Sequence, residues 1–357
     1  MKHQKIFKIL TLILIMQWAF IKLISQFPTI IENYYSNGIY PIIAFLFRFL
    51  FGWIPFSIGD LFYVGMVIVL GYWLFQYVKQ EGVTLKNTLY KFGAFASVLF
   101  FLFHLNWGLN YQRLRLFDTL QLENNTYTQD DLLLFTNELI VKTNELHLKI
   151  TKADDVVENQ LSKQQIREKA QNSYISLAQK FPQFTFKTAS VKNSIFSLPL
   201  TYMGFAGYLN PFTNEAQVNG LIPKNNYPAT LCHELAHQAG IASESEASFV
   251  GYLAATNYND LYYNYSGYIM ALNYCLSEIF KNDEEIFKHT ITKLNSGILK
   301  DMQNSSDFWQ SYQNWSEKYF KTFYDYFLKF NKQKDGMKEY NKVVALLINY
   351  HKKEKLN

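Results

Sequence analysis

Only two of the 357 residues are cysteine, and that scarcity excludes a fold stapled by several disulfides. Cys232 and Cys275 allow one bridge at most, and both read as small buried side chains. Fixed charge is thin as well: 18% of residues are Asp, Glu, Lys or Arg against 49% hydrophobic, and the net charge is only +5. The surplus sits in Lys2, Lys5 and Lys8, in Lys79, Lys86 and Lys91, and in the solvated tail Lys352-Lys353-Glu354-Lys355. No basic patch interleaved with aromatics stands out, so nucleic acid is not an expected partner. A cleavage signal is missing too, since no small-x-small pattern follows the first apolar stretch and Phe27-Pro28 is a poor place to cut. Histidine is rare, with 7 copies. A chance HExxH should therefore occur in roughly one such chain in a hundred.

What is abundant is apolar and aromatic: 31 Phe and 26 Tyr fit a membrane region followed by a packed soluble domain. Residues 6–24, with only Lys8 and Lys22 charged, 61–78 and 92–111 each approach the ~20 residues needed to cross a bilayer. Three transmembrane helices are expected, the first an uncleaved anchor. The apolar segment 39–58 contains Pro41, Arg48, Gly52 and Pro55, which point to an interfacial or re-entrant helix. Residues 1–112 thus read as a membrane domain and 113–357 as a soluble one. Lysines favour the cytoplasmic side, so the N-terminus and the 79–91 loop should face in, and an odd number of crossings puts 113–357 outside. In a Gram-negative cell that is the periplasm, with an integral protein of the inner membrane.

Within that outer domain Leu231-Cys232-His233-Glu234-Leu235-Ala236-His237-Gln238 contains HExxH. On a helix, residues i and i+4 share a face, so His233 and His237 can direct ring nitrogens at one Zn²⁺ while Glu234 sits beside them as a general base. Pro228 fits a first-turn position and Gly240 the residue past a helix end, giving a helix over about 228–239. A third ligand has to follow. Ser243 and Glu246 fit an S-x-x-E capping box, which gives Glu246 a structural job and makes Glu244 the freer carboxylate, so Glu244 is the favoured third ligand and Glu246 the alternative. The interval from His237 to Glu244 is short, so the chain must reverse sharply at Gly240. A metzincin arrangement would put its third ligand at Ser243, which is not a usual zinc donor.

Residues 128–150 and 162–181 read as helices, Phe184-Thr185-Phe186 alternates like a strand, and residues 258–280, 282–303, 306–331 and 337–351 are mostly helical, with a turn at Asp335-Gly336. The stretch Tyr202 to Pro223 reads as short strands of a small sheet. Ala216, Gln217, Val218, Asn219 and Gly220 are the candidate edge strand that would pair with an extended peptide substrate, or else simply close the sheet. Tyr258, Tyr262, Tyr263, Tyr265 and Tyr268 pack after the second ligand helix, and one phenol among them is a candidate oxyanion donor.

Three N-terminal spans, Trp107-Gly108-Leu109-Asn110-Tyr111-Gln112-Arg113, the run GYLNPFTNEAQVN from Gly207 to Asn219, and HELAHQ-x-G-x-A-x-E-x-E-A together resemble an uncharacterised family of bacterial membrane proteins, a domain of unknown function in the zincin-type peptidase group. The resemblance covers nearly the whole chain and is most specific over 204–255. It implies a mainly α chain: three transmembrane helices, then an α+β gluzincin-like domain with a small sheet and a helical C-terminal part. The gluzincin pattern E-x-x-A is similar to Glu244-Ser245-Glu246-Ala247 and selects the same ligand. The expected function is a membrane-anchored zinc metallopeptidase acting on peptides or proteins. The rival is a non-catalytic envelope protein stapled by zinc, or a peptide sensor. A protease cutting inside the bilayer is disfavoured because HELAHQ lies more than 100 residues past the last span.

Overall fold

A computed structural model describes residues 2–79, 84–122, 126–185, 187–331 and 340–356. The Asp335-Gly336 turn, Phe186 and part of the 79–91 loop lie outside the described residues. Three helices are long and apolar enough to cross a membrane: α1 (Lys2–Ile24), α4 (Ile58–Lys79) and α5 (Leu85–Asn106). Between the first two come α2 (Pro28–Ile30), a π-helical stretch (Ile31–Ile39) and α3 (Tyr40–Phe51). The third span is displaced from the expected 92–111. Thr84 Oγ1 accepts the Asn87 N–H at 3.3 Å and opens the helix early, while Trp107 leaves helical geometry at φ −157° and ends it.

After α6 (Leu116–Thr119), the helices expected over 128–150 and 162–181 are α7 (Gln129–Thr151) and α8 (Lys163–Lys180). Thr128 with Asp131 and Ser162 with Gln165 make the capping boxes that start them. The strand expected at 184–186 is not formed at its start: Pro182 initiates a 3₁₀ turn that takes in Phe184. A three-stranded sheet follows, of β1 (Val191–Asn193), β2 (Gly207–Leu209) and β3 (Ala216–Val218), with α9 (Ser197–Met203) inserted. Its order is β1-β3-β2, β1 running parallel and β2 antiparallel to β3.

The remaining helices are α10 (Tyr227–Gln238), α11 (Glu244–Asn257), α12 (Leu261–Asn282), α13 (Glu284–Ile291), α14 (Ser296–Ser311), α15 (Glu317–Phe330) and α16 (Tyr340–His351). Two expected long helices are broken by side chains that compete with the backbone. The one expected over 282–303 starts at the Asp283 cap but ends at Ile291, and Asp154 accepts the Ser296 and Gly297 N–H groups at 3.1 and 2.7 Å where α14 begins. The one over 306–331 breaks between α14 and α15, where Asn314 Oδ1 accepts the Ser316 N–H at 2.9 Å. The core centres on α10, α11 and α12, with α7, α8 and α16 packed round them. Leu231, Cys232, Leu235 and Ala236 are buried on all sides of α10, the pattern of a helix enclosed in protein. Both cysteines are buried as free thiols.

The apolar spans are not a separate appendage. Glu215, next to β3, accepts the Gly59 N–H at 2.6 Å and sets a carboxylate at the positive end of α4. Asp60, fully buried, accepts from Ser194 Oγ at 2.9 Å and the Ile195 N–H at 2.7 Å. The start of the second span is thus bonded to the sheet.

Candidate metal centre

The helix that carries HExxH ends in a way that shapes the site. Gly240 adopts φ +85°, a left-handed turn that costs other residues more. The Ile241 N–H reaches back to Ala236 O at 3.1 Å and the Gly240 N–H to His237 O at 2.9 Å, which is a Schellman motif. This turn swings the Ile241 carbonyl onto His237 Nδ1, 2.7 Å away. A carbonyl only accepts, so Nδ1 carries the proton and Nε2 is left with a lone pair.

The same reversal starts α11 on the side of the two histidines. Ser243 Oγ accepts the Glu246 N–H and caps the helix. The Glu246 carboxylate is used elsewhere, accepting the Leu116 N–H at 2.7 Å, whereas Glu244 faces both histidines. A close helix crossing brings it there. A Cβ on Gly251 would stand 2.8 Å from His233 N, so only glycine lets α11 pass this near the α10 backbone.

His233 Nε2 and His237 Nε2 lie 3.1 Å apart, and Glu244 Oε2 is 3.3 Å from the first and Oε1 3.6 Å from the second. Ser248 Oγ stands 3.2 Å from His233 Nδ1 and 2.9 Å from the Tyr274 hydroxyl, which fixes the first ring as Ile241 fixes the second. Electrostatically the cluster asks for positive charge. Burial alone would lower His237 and raise Glu244, but each overrides that for the other: His237 is pushed up to about 9 and Glu244 is held well below the carboxylate range. Glu234 goes the opposite way, pushed up to about 7 by burial against the pull of the two histidines. Its Oε2 is buried with no hydrogen-bond partner, and its Oε1 lies 2.6 Å from where a Cβ on Gly207 would be. Two imidazole nitrogens, a carboxylate and an unpartnered carboxylate oxygen fit a divalent cation with an adjacent base.

The group lines a cavity of about 600 Å³. Its walls come from α10, β2, α12 and α15, and also from Tyr63 of α4, Phe103 of α5 and Trp107 just beyond. The tyrosine run 258–268 does not supply the phenol at this site. Tyr263, Tyr265 and Tyr268 are buried in the core, with Tyr263 donating to Ile166 O and Tyr265 to Asp301. Tyr324 of α15 reaches the cluster instead, its hydroxyl donating to Glu244 Oε1 at 2.7 Å. Burial beside Glu244 keeps that phenol protonated.

The edge-strand expectation for Ala216 to Gly220 is also corrected. β3 is paired on both sides and fully buried, so it has no free edge to offer. β1 and β2 are the two edge strands, and all three residues of β2 line the cavity.

Residues of the N-terminal part hold the far end of α10, where the last carbonyls lack helical partners. Tyr40 donates to Gln238 O at 3.0 Å, Trp107 Nε1 to His237 O at 3.4 Å, Arg48 to Gln238 O at 3.3 Å and Arg113 to Gly240 O at 3.0 Å. Two guanidinium groups there also complement the negative helix end. Gln238 ties the helix to the sheet, donating to Ser190 O at 2.5 Å and Asn214 O at 2.9 Å. None of these partners was legible from local spacing, because each lies 24 or more residues away. Gly207 and Tyr324 were missed for the same reason.

A family profile described as "Protein of unknown function (DUF3810)" matches residues 35–348. No curated protein and no solved structure matches the chain.

Proposed function

The chain belongs to the DUF3810 family, and from the geometry of its site we propose that it is a membrane-anchored zinc metallopeptidase of gluzincin type. The observation that carries this reading is the convergence of His233, His237 and Glu244 with the unpartnered Glu234 oxygen on the wall of one cavity. Bound by the three ligands, Zn²⁺ would polarise a carbonyl and lower the pKa of water toward about 7. The Glu234 carboxylate would take the proton from the attacking water and return it to the leaving amine. Tyr324, already hydrogen-bonded to the ligand set, is the donor to the developing oxyanion. The open edge of β2 aligns an extended peptide by strand addition, the role first given to Ala216 to Gly220.

A zinc staple has no use for a base beside it and closes its fourth position, so the unpartnered Glu234 favours catalysis. The ends of α1, α4 and α5 nearest the site lie opposite the basic N-terminus and the 79–91 loop. At about 1.5 Å per residue, a 22-residue helix separates its ends by ~33 Å. With lysines inside, the site is extracytoplasmic. The test is Glu234→Gln. It should keep the zinc of the wild-type protein and lose peptide hydrolysis, and retained cleavage would refute the mechanism.

A further inference from the structure

Helix α15 divides into three sectors at 100° per residue. Tyr324, Phe327 and Asn331, just past its end, point into the protein: Tyr324 packs on Phe205 with ring centroids 5.2 Å apart, and Phe327 on Phe103 at 6.1 Å. Glu317, Lys318, Lys321, Asp325 and Lys329 form a polar strip, with Lys321 paired to Glu317 and Lys329 to Asp325. The third sector is Tyr319, Phe323, Tyr326 and Phe330, spaced four, three and four residues apart on one face. These rings are 67%, 72%, 69% and 59% exposed. Such a stripe is costly in water, and among the described residues nothing covers it.

Continuity identifies what covers it. Through Phe327 the helix rests on Phe103 of α5, and Phe330 stands in one shallow pocket with Trp18 and Ile21 of α1 and Phe100 of α5. The aromatic stripe therefore runs on from the surface of the spans. Rings of Tyr and Phe beside a strip of paired charges match a helix lying in the plane of a lipid–water boundary. The cavity reaches the same boundary: Trp107, one residue past the end of α5, has its ring centroid 6.0 Å from that of His237.

We propose that the outer face of α15 is seated in the bilayer interface, so that the cavity is flanked by lipid and its substrate is a polypeptide anchored in the same membrane. The substrate clause rests on the peptidase reading above; the seating of α15 does not. The experiment uses the full chain in phosphatidylethanolamine–phosphatidylglycerol liposomes, labelled with an environment-sensitive fluorophore at Phe323→Cys, at Tyr326→Cys, and at Gln303→Cys on α14 as a water-exposed reference. Cys232 and Cys275 are buried, so labelling goes to the introduced thiol. Labels at 323 and 326 should be quenched by doxyl lipid and shielded from aqueous iodide, with the reverse at 303. Iodide quenching at 323 and 326 equal to that at 303 would overturn the proposal.

A second arm co-reconstitutes a randomised peptide, either free or joined to a transmembrane segment. The wild type should cut the tethered form about tenfold or more faster, as expected when both partners share a membrane. Equal rates overturn the substrate clause. Cleavage of neither overturns the peptidase reading together with that clause, and the quenching result still decides where α15 lies.

Discussion

The Glu234 carboxylate, the proposed base, is accommodated by what Gly207 lacks. Gly207 in β2 leaves room for the Glu234 carboxylate, which would otherwise collide with a Cβ at 2.6 Å. In Gly207→Ala the methyl meets Glu234 Oε1 at 2.6 Å and the Gln217 carbonyl at 2.7 Å, and should shift that carboxylate, whereas the proposed ligands His233, His237 and Glu244 are not among its nearest contacts. Displacement of a catalytic group by about 1 Å costs up to ~100-fold in rate, so kcat should fall on that scale with zinc stoichiometry unchanged. Metal analysis beside steady-state kinetics checks both halves. The grouping of Glu244 with the two histidines was legible in the sequence because a capping signal acts over three residues. Ser243 does cap α11, although the Glu246 carboxylate that the box occupied on paper goes to the Leu116 N–H. Gly207 and Tyr324 had no such local signal, and only the folded chain brings them to Glu234 and Glu244.

At the scale of elements, the site is a crossing of two helices with its ends tied down. Gly251 sets how near α11 can come to α10, and its place inside an otherwise ordinary helical sequence gave no hint of that. Gly251→Ala puts a methyl 2.8 Å from His233 N, against backbone that cannot rotate away. Overpacking of this kind costs about 1–3 kcal/mol, which thermal unfolding should register as a lowered Tm, together with weaker zinc retention. Tyr40→Phe removes a donor from the last carbonyls of α10 and an acceptor from Asn214 Nδ2. The loss of a buried partner predicts about 1–3 kcal/mol of destabilisation, measurable by the same melts. The helices were readable from their periodicity and caps. Sheet order was not, because strands of three residues carry too little alternation to separate a central strand from an edge one.

For the whole molecule, chain distance misled where contact did not. HELAHQ follows the last span by more than 100 residues, yet His237 touches Trp107 beside the end of that span. Bonds from Tyr40, Arg48 and Arg113 to the end of α10 and the turn after it, and from Glu215 to α4, make the apolar N-terminal part and the site one packed body. Its closing helix α16 adds a pH dependence. His351 is stacked on Phe135, accepts from Tyr252 and donates to Glu354 O, and burial pushes its pKa down to about 4. Above about 6.5 both folded and unfolded forms are neutral; below it only the unfolded chain takes up the proton, so stability falls as pH drops from 6.5 toward 4. The loss amounts to about 3 kcal/mol at the acid end. Melts at pH 7 and 4.5 should show a steeper decline for the wild type than for His351→Gln.

The claim on which the rest depends is that His233, His237 and Glu244 hold a metal ion. The most direct measurement is elemental analysis of the purified full chain, wild type beside Glu244→Ala and Glu246→Ala. One zinc per chain in the wild type, lost in Glu244→Ala and kept in Glu246→Ala, is the predicted result. A wild type without metal, or zinc lost only in Glu246→Ala, would contradict it.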